Sequence, residues 1–131
     1  MAIKNDYLLD QISRFVESIT AGIGKSRAGR ADDAIQTFEA VAGDVLDMDA
    51  ETVLALAPAS LVTMMQLSAV DDSLAGYTVY ALERAADAYD CKADATGQLR
   101  RAQAQAIADA YGIEVSAVPP EVQEALDAAE A

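Results

Sequence analysis

Large apolar residues recur at intervals of three or four along most of the chain, and this spacing constrains the fold more than any other feature of the sequence. The first such stripe consists of Leu8, Ile12, Phe15, Val16, Ile19 and Ile23, and a second, within residues 31–46, includes Ile35, Phe38 and Val41. No stretch of useful length alternates apolar with polar residues, which is the pattern that a half-buried strand requires. The sequence therefore predicts an all-α fold, an α-α hairpin bundle of about six helices.

Capping residues predict where the first helix begins and ends. Asn5 or Asp6 suits the N-terminal cap, and Gly22 and Gly24 are typical of a helix end. The stretch from Gly22 to Arg30 would then be a loop that carries three glycines and three bases.

Prolines and acidic residues divide the rest of the chain. Further helices are predicted over residues 31–46, from Asp49 to Leu56, from Pro58, from Asp71 or Asp72 to Tyr89, from Asp94 or Thr96 to Gly112, and from Pro120. The helix before Gly112 is predicted to bury Leu99, Ala102, Ala106, Ile107 and Ala110. We place the helical bundle in residues 1–112, and in residues 113–131 a linker and a short C-terminal helix packed on or extending from the same domain.

Alanine fills 29 of the 131 positions, and its placement indicates closely packed helices. In residues 31–46 and 98–111, alanine stands four residues before a large apolar residue or another alanine. Small residues at this spacing occur in the second helix of a tetratricopeptide (TPR) hairpin. We therefore predict a TPR-like bundle, although the 34-residue period of that repeat is not clean here.

The charge balance limits the class of partner. The chain has nine bases and 22 acids, a net charge of −13, and residues 31–83 contain ten acids and no base. Nucleic-acid binding relies on cations that displace phosphate counterions, so the sequence argues against a DNA or RNA partner. An acidic surface keeps a protein soluble, or it forms a docking face for a basic partner.

One uncharged stretch, residues 52–70, is long enough to raise the question of a membrane span. It contains Pro58 and several polar residues, and acids rather than bases flank it, so we interpret it as a buried core segment. Lys4, Asp6 and Asp10 interrupt the start of the chain, which argues against a secretory signal. These features predict a cytoplasmic protein with no membrane span.

The inventory of reactive side chains is short. There is no histidine and a single cysteine, Cys91, which we expect to be a semi-buried structural thiol. Histidine-based acid–base catalysis, ordinary zinc sites and an internal disulfide are therefore excluded, and no metal or cofactor is predicted. The acidic stretch 44–51 lacks the glycine and glutamate spacing of a calcium loop, so we expect its acids to serve helix ends.

The segment Gly24-Lys25-Ser26 matches half of a nucleotide-binding P-loop. The first glycine of that motif would fall at Ile19, inside the predicted helix, and no strand precedes it. We therefore interpret the segment as part of a helix connector and predict no nucleotide binding.

The basic residues of the connector are Lys25, Arg27 and Arg30, and they are candidate contacts to a partner or an anion. Their first use is predicted to be internal, toward acids such as Asp32, Asp33 or Asp49.

Tyr77 and Tyr80 lie three residues apart on one predicted helix and are the candidates for a groove. The interpretation we favour places them at the rim of the core. The other interpretation is a ligand groove between helices in which tyrosines and carboxylates act together.

The segment over residues 5–19, NDYLLDQISRFVESI, resembles the first helix of an uncharacterised family of short bacterial all-helical proteins. The order of elements is also similar: a TPR-like helix after a short loop, a short helical insert and a closing hairpin. The resemblance covers most of residues 5–111 and implies a TPR-like fold, but it supplies no site residues because the family has no agreed activity.

The function predicted from these observations is a non-catalytic helical interaction module that binds a peptide, a protein or a second copy of the chain. The alternative is a small-ligand-binding protein or an enzyme that uses carboxylates and tyrosines in an interhelical groove.

Overall fold

The computed structural model describes residues 2–130 and the side chains of residues 6–129. Within that range the backbone forms seven helices and no strand, which confirms the all-α prediction. The helices are α1 (Ala2–Arg27), α2 (Ala31–Leu46), α3 (Ala50–Leu54), α4 (Pro58–Leu67), α5 (Asp72–Cys91), α6 (Thr96–Tyr111) and α7 (Pro120–Glu130). Residues 1 and 131 of the predicted domain ranges, and the Asn5 side chain, lie outside the described part.

Helix α5 is the centre of the bundle. It packs against α6 and α2 and more lightly against α1. Short connections join α1 to α2 and α5 to α6, so each pair forms an antiparallel hairpin. Of the other helices, α3 packs on α2, α4 packs on α6, and α7 packs on α1. Because neighbours surround it, α5 buries more than one face: Leu74, Ala75, Tyr77, Thr78, Val79, Tyr80, Ala81, Leu82, Ala85, Ala86 and Ala88.

The buried side chains form two clusters. The first joins α1, α2, α5 and α7, and it contains both phenylalanines of the chain, Phe15 and Phe38. The second joins the residues of α2 through α6. Val122 of α7 is fully buried in the first cluster, so the C-terminal helix packs on the bundle.

The predicted end of α1 is wrong. The helix begins at Ala2, before the predicted cap, and continues through Gly22 and Gly24 to Arg27. Gly22 serves helix packing, since a Cβ atom there would lie 2.6 Å from a ring carbon of Phe38. The chain turns instead at Gly29, whose φ of +78° is the left-handed conformation that glycine adopts without strain.

This packing makes Gly22 and Gly24 a matched pair for a stability test. We expect Gly22→Ala to lower the free energy of unfolding by about 1–2 kcal/mol, because the displaced Phe38 ring outweighs the gain in helix propensity. Gly24→Ala should be neutral or stabilise by up to ~1 kcal/mol, since no atom lies within 4 Å of the added carbon. Urea unfolding measures both variants, and equal effects would contradict the close approach of α1 and α2.

The predicted inner face of α6 is also mostly wrong. Leu99 is 38% exposed, and Ala102 and Ala110 are exposed, while Ile107 is buried as predicted. The face turned to the bundle is Gly97, Arg100, Gln103, Ala104, Ile107 and Ala108. The helix takes this orientation because the two polar side chains find partners inside the bundle.

The prediction that the uncharged stretch at residues 52–70 is a buried core segment is confirmed for a few positions only, and Leu67 within it is 78% exposed. The stretch forms the end of α3, a connection and α4, and Leu61 and Met65 of α4 are fully buried. Among the described residues, no helix combines the length and the hydropathy needed to cross a membrane.

Candidate functional site

The predicted basic residues contact the start of α2. Lys25 Nζ donates to Thr37 Oγ1 at 2.8 Å. Arg30 donates from Nε and Nη2 to one carboxylate oxygen of Asp33, at 3.1 and 2.7 Å, which confirms an internal acidic partner for Arg30. Arg27 is exposed in the last turn of α1. Contact of these bases with an outside partner or an anion stays a prediction.

The other two acids predicted as partners have different roles. Asp32 pairs with Lys92, which follows α5. Asp49 caps α3, its carboxylate accepting from the Thr52 backbone amide at 3.4 Å. The acids near this segment are therefore shared among several elements of the bundle.

The half P-loop lies inside a helix. Residues 24–26 belong to the last turns of α1, so their backbone amides point along the helix axis toward preceding carbonyls. A phosphate cradle needs such amides to converge on the ligand from a loop. This conformation gives no phosphate cradle at residues 24–26.

Tyr77 is held by contacts on two sides. Its ring meets Phe15 edge to face, with 6.4 Å between ring centroids, and only 2% of the residue is exposed. Its hydroxyl donates to the Glu121 carboxylate of α7 at 2.5 Å. Burial, and then the contact with Glu121, raise the pKa of Tyr77 well above its usual range. The hydroxyl is therefore a proton donor that fastens α7 to α5.

Tyr80 is buried against a different neighbour. The Arg84 guanidinium carbon lies 4.9 Å from the centre of the Tyr80 ring, a cation–π geometry. Arg84 Nε is also 3.0 Å from Asp87, although it is not aligned for a hydrogen bond.

The two tyrosines line two clefts instead of one groove. The first cleft, of about 330 Å³, contains Tyr77 and lies among α5, α7 and the connection before α7. The second cleft, of about 520 Å³, contains Tyr80 and Arg84. Ile113 borders both, so the connection between α6 and α7 separates them.

A buried polar network that the apolar spacing did not predict joins α2, α5 and α6. Glu39 of α2 accepts from the Arg100 Nε at 2.6 Å and from the Tyr89 hydroxyl at 2.8 Å. The Arg100 and Glu39 side chains are only 10% and 16% exposed. Both partners come from the α5–α6 hairpin, so the network ties that hairpin to α2.

The same network satisfies carbonyls at the end of α3. Arg100 and Gln103 both donate to the Leu54 carbonyl, at 3.2 and 3.1 Å, and Gln103 also donates to the Leu56 carbonyl at 2.9 Å. Arg100 also donates to the side-chain oxygen of Gln103 at 3.1 Å. Buried helix ends require such partners. The spacing of three between Arg100 and Gln103 places both on one face of α6, but a face of polar residues is typical of the outside of a helix.

Alkaline pH tests the role of Tyr89 in this network. Burial, and then the carboxylate of Glu39, raise the pKa of Tyr89 from 10.0 to about 12. A raised folded-state pKa means that the stabilisation is complete below pH ~10 and is lost as the pH rises toward ~12. We expect the stability difference between wild type and Tyr89→Phe, measured by urea unfolding, to shrink over that interval. A difference independent of pH would contradict this role.

The acids of residues 44–51 lie at the corner between α2 and α3. Asp47 ends α2 in the left-handed conformation, with φ +53°, and Asp49 begins α3, so the predicted helix-end use is confirmed for both. Gly43 of α2 allows the backbone of the α2–α3 connection to approach closely, since a Cβ there would lie 2.7 Å from the Met48 carbonyl oxygen. Within the described residues no cluster of side chains suited to a metal ion is found.

A cleft of about 580 Å³ adjoins this corner. Its lining includes Glu39, Asp49, Glu51, Tyr89 and Arg100, so the buried network forms one of its walls.

The single cysteine differs from expectation. Cys91 is the last residue of α5 and is exposed, because this helix end faces solvent.

Comparison of the chain with protein-family models, with curated proteins and with solved structures finds no match.

Proposed function

We propose that the protein is a non-catalytic helical interaction module that binds a basic segment of another polypeptide. The docking surface is the corner of α2 and α3, formed by Asp44, Asp47, Met48, Asp49 and Glu51, which we call the acidic face. A TPR-like arrangement of the hairpins, membership of the resembling bacterial family and a cytoplasmic location remain parts of this proposal.

The observation that carries the proposal is the distribution of charge partners. Most of the described bases form ion pairs within the chain, while Lys25 donates to Thr37: Arg14 pairs with Asp10, Arg30 with Asp33, Arg84 with Asp87, Lys92 with Asp32, Arg100 with Glu39, and Arg101 with Glu83, Asp87 and Asp90. The acidic face lies in a stretch of the sequence that contains no base. Its carboxylates form no ion pair among the described side chains, which supports a basic partner.

The acidic face also offers apolar contact. Met48 is 40% exposed in the middle of the four acids, and the adjoining cleft adds the exposed Ala55. An adaptable methionine surrounded by charge suits a surface that binds another chain. A second copy of this chain is a poorer partner, because a symmetric interface would place acid against acid.

Two of the tyrosines are poorly suited to act as general bases at neutral pH. The pKa values of Tyr77 and Tyr89 are both raised, so neither hydroxyl ionises near neutral pH. Catalytic acids and bases are tuned in the opposite sense, toward the operating pH.

Fluorescence anisotropy with a labelled lysine–leucine peptide tests the proposal, and the same peptide with glutamate in place of lysine is the ligand control. We expect saturable binding of the lysine peptide only, weakened by salt because exposed charges are screened. The double variant Asp44→Asn, Glu51→Gln should bind about three- to tenfold more weakly.

The matched control variant removes two exposed acids from other helices, Glu17→Gln of α1 and Glu124→Gln of α7. It has the same net charge as the site variant and should bind like wild type. An equal loss in both variants would mean that only the overall charge attracts the peptide, and the acidic face would be refuted.

A further inference from the structure

The first cleft has apolar walls and two carboxylates at its edge. Ile12, Ile113, Val118 and the pair Pro119-Pro120 supply the aliphatic surface, and Asp72 and Glu121 supply the charge. None of the described residues that line it is basic. A pocket of this composition is electrostatically matched to a cation that carries an apolar body.

Both carboxylates are set at helix starts. Asp72 lies in the first turn of α5 and Glu121 in the first turn of α7. The first turn of a helix is a favourable position for an acidic side chain, because the positive end of the helix dipole lies there. The Tyr77 hydroxyl already donates to one oxygen of Glu121, which fixes the carboxylate beside the cleft and leaves its second oxygen to accept another donor.

Gly76 keeps the wall of the cleft open. It lies inside α5, where glycine is unfavourable compared with alanine. No atom lies within 4 Å of the position that a Cβ would occupy, and its φ is not in the left-handed region. Neither close packing nor the backbone requires a glycine here, so its effect is to leave space in the cleft.

We propose that the first cleft binds a small aliphatic amine in its protonated form. The alkyl chain would lie between Ile12, Ile113 and the two prolines, and the ammonium group would lie between Asp72 and Glu121. The volume of about 330 Å³ is near the lower end for ligand pockets, which suits a single short chain. This site is separate from the acidic face, so either proposal can fail alone.

Methyl-detected NMR titration of the whole chain provides the test, with three six-carbon probes: n-hexylammonium, hexanol and hexanoate. We expect n-hexylammonium to cause saturable shifts at the Ile12 and Ile113 methyl groups and to bind at least about tenfold more tightly than hexanol. Hexanoate should cause no saturable shift, because its charge has the same sign as the two carboxylates. Equal binding of the three probes, or shifts elsewhere only, would overturn the proposal.

Two variants test separately how the space in the cleft and its negative charge contribute to binding. Gly76→Leu fills the space and should weaken n-hexylammonium binding more than about tenfold, and Asp72→Asn should weaken it about three- to tenfold while leaving hexanol unaffected. Gly24→Leu is the matched control, a helical glycine in open space on α1, and should bind like wild type. If Gly76→Leu fails to fold, Gly76→Ala replaces it as the smaller obstruction. Unchanged binding in the folded Gly76 and Asp72 variants would refute the site.

A lysine side chain presents the same ammonium group as a free amine. Nα-acetyl-lysine methylamide therefore serves as a fourth probe. We expect this probe to bind more weakly than n-hexylammonium, since its amide groups do not fit between the apolar walls of the first cleft. Tighter binding would overturn the small-amine assignment in favour of a partner polypeptide.

Discussion

Glu39→Met is expected to lower the free energy of unfolding by about 3 kcal/mol, because it leaves the guanidinium of Arg100 buried without its carboxylate. This loss is at the lower end of the range for breaking a buried ion pair, since Arg100 keeps its hydrogen bonds to the Leu54 carbonyl and to Gln103. Urea unfolding followed by circular dichroism measures the loss.

The double variant Glu39→Met, Arg100→Met distinguishes a buried charge from lost packing. It should recover most of the stability, since replacing both partners of a buried ion pair by apolar side chains is often neutral. The exposed pair of Arg30 and Asp33, whose side chains are 61% and 49% exposed, is the control, and Arg30→Met should cost no more than about 1 kcal/mol. Additive losses in the double variant would show that the two residues do not act as a pair.

We expect Phe38→Ala to lower the free energy of unfolding by about 3–5 kcal/mol, since the residue is 1% exposed and removal of the ring leaves a cavity in the first cluster. Tyr7→Ala is the control truncation, because Tyr7 is 61% exposed, and it should change stability by less than about 1 kcal/mol.

The contact between Phe38 and Gly22 gives this prediction a second measurement. In the Phe38→Ala background the carbon added by Gly22→Ala occupies space that the ring has left. The effect of Gly22→Ala should therefore change sign, from destabilising in wild type to neutral or stabilising in the variant. A loss of the same size in both backgrounds would refute the contact between the two helices at this point.

The positions of the helices are largely local properties of the sequence. Apolar spacing of three and four predicted α2 with its buried Phe38, and aspartates predicted the starts of α3 and α5. Asp49 and Asp71 cap these two helices through backbone amides two or three residues away. Such signals need no information from distant parts of the chain, because helical hydrogen bonds and caps join near neighbours.

The faces of the helices were less predictable where polar residues are buried. Arg100 and Gln103 lie inside the bundle because Glu39 and the carbonyl of Leu54, more than forty residues away in sequence, satisfy them. Hydrophobic periodicity counts such residues as surface, so it placed Leu99 on the wrong side of α6. Only the assembled fold brings the partners together, and the free energy of burying a charge depends on those partners.

The all-α class, the approximate positions of the helices and the burial of Phe15 and Phe38 could be read from the sequence, because these follow from local spacing. Where α1 ends depends on tertiary packing. Gly22 looks like a helix end in the sequence, but in the structure it lies inside α1 and gives room to the Phe38 ring. The tertiary structure also separated Tyr77 and Tyr80 into two clefts and joined Tyr77 to Glu121. Clefts form where elements distant in sequence meet, and the spacing of residues along one helix does not show what packs against that helix.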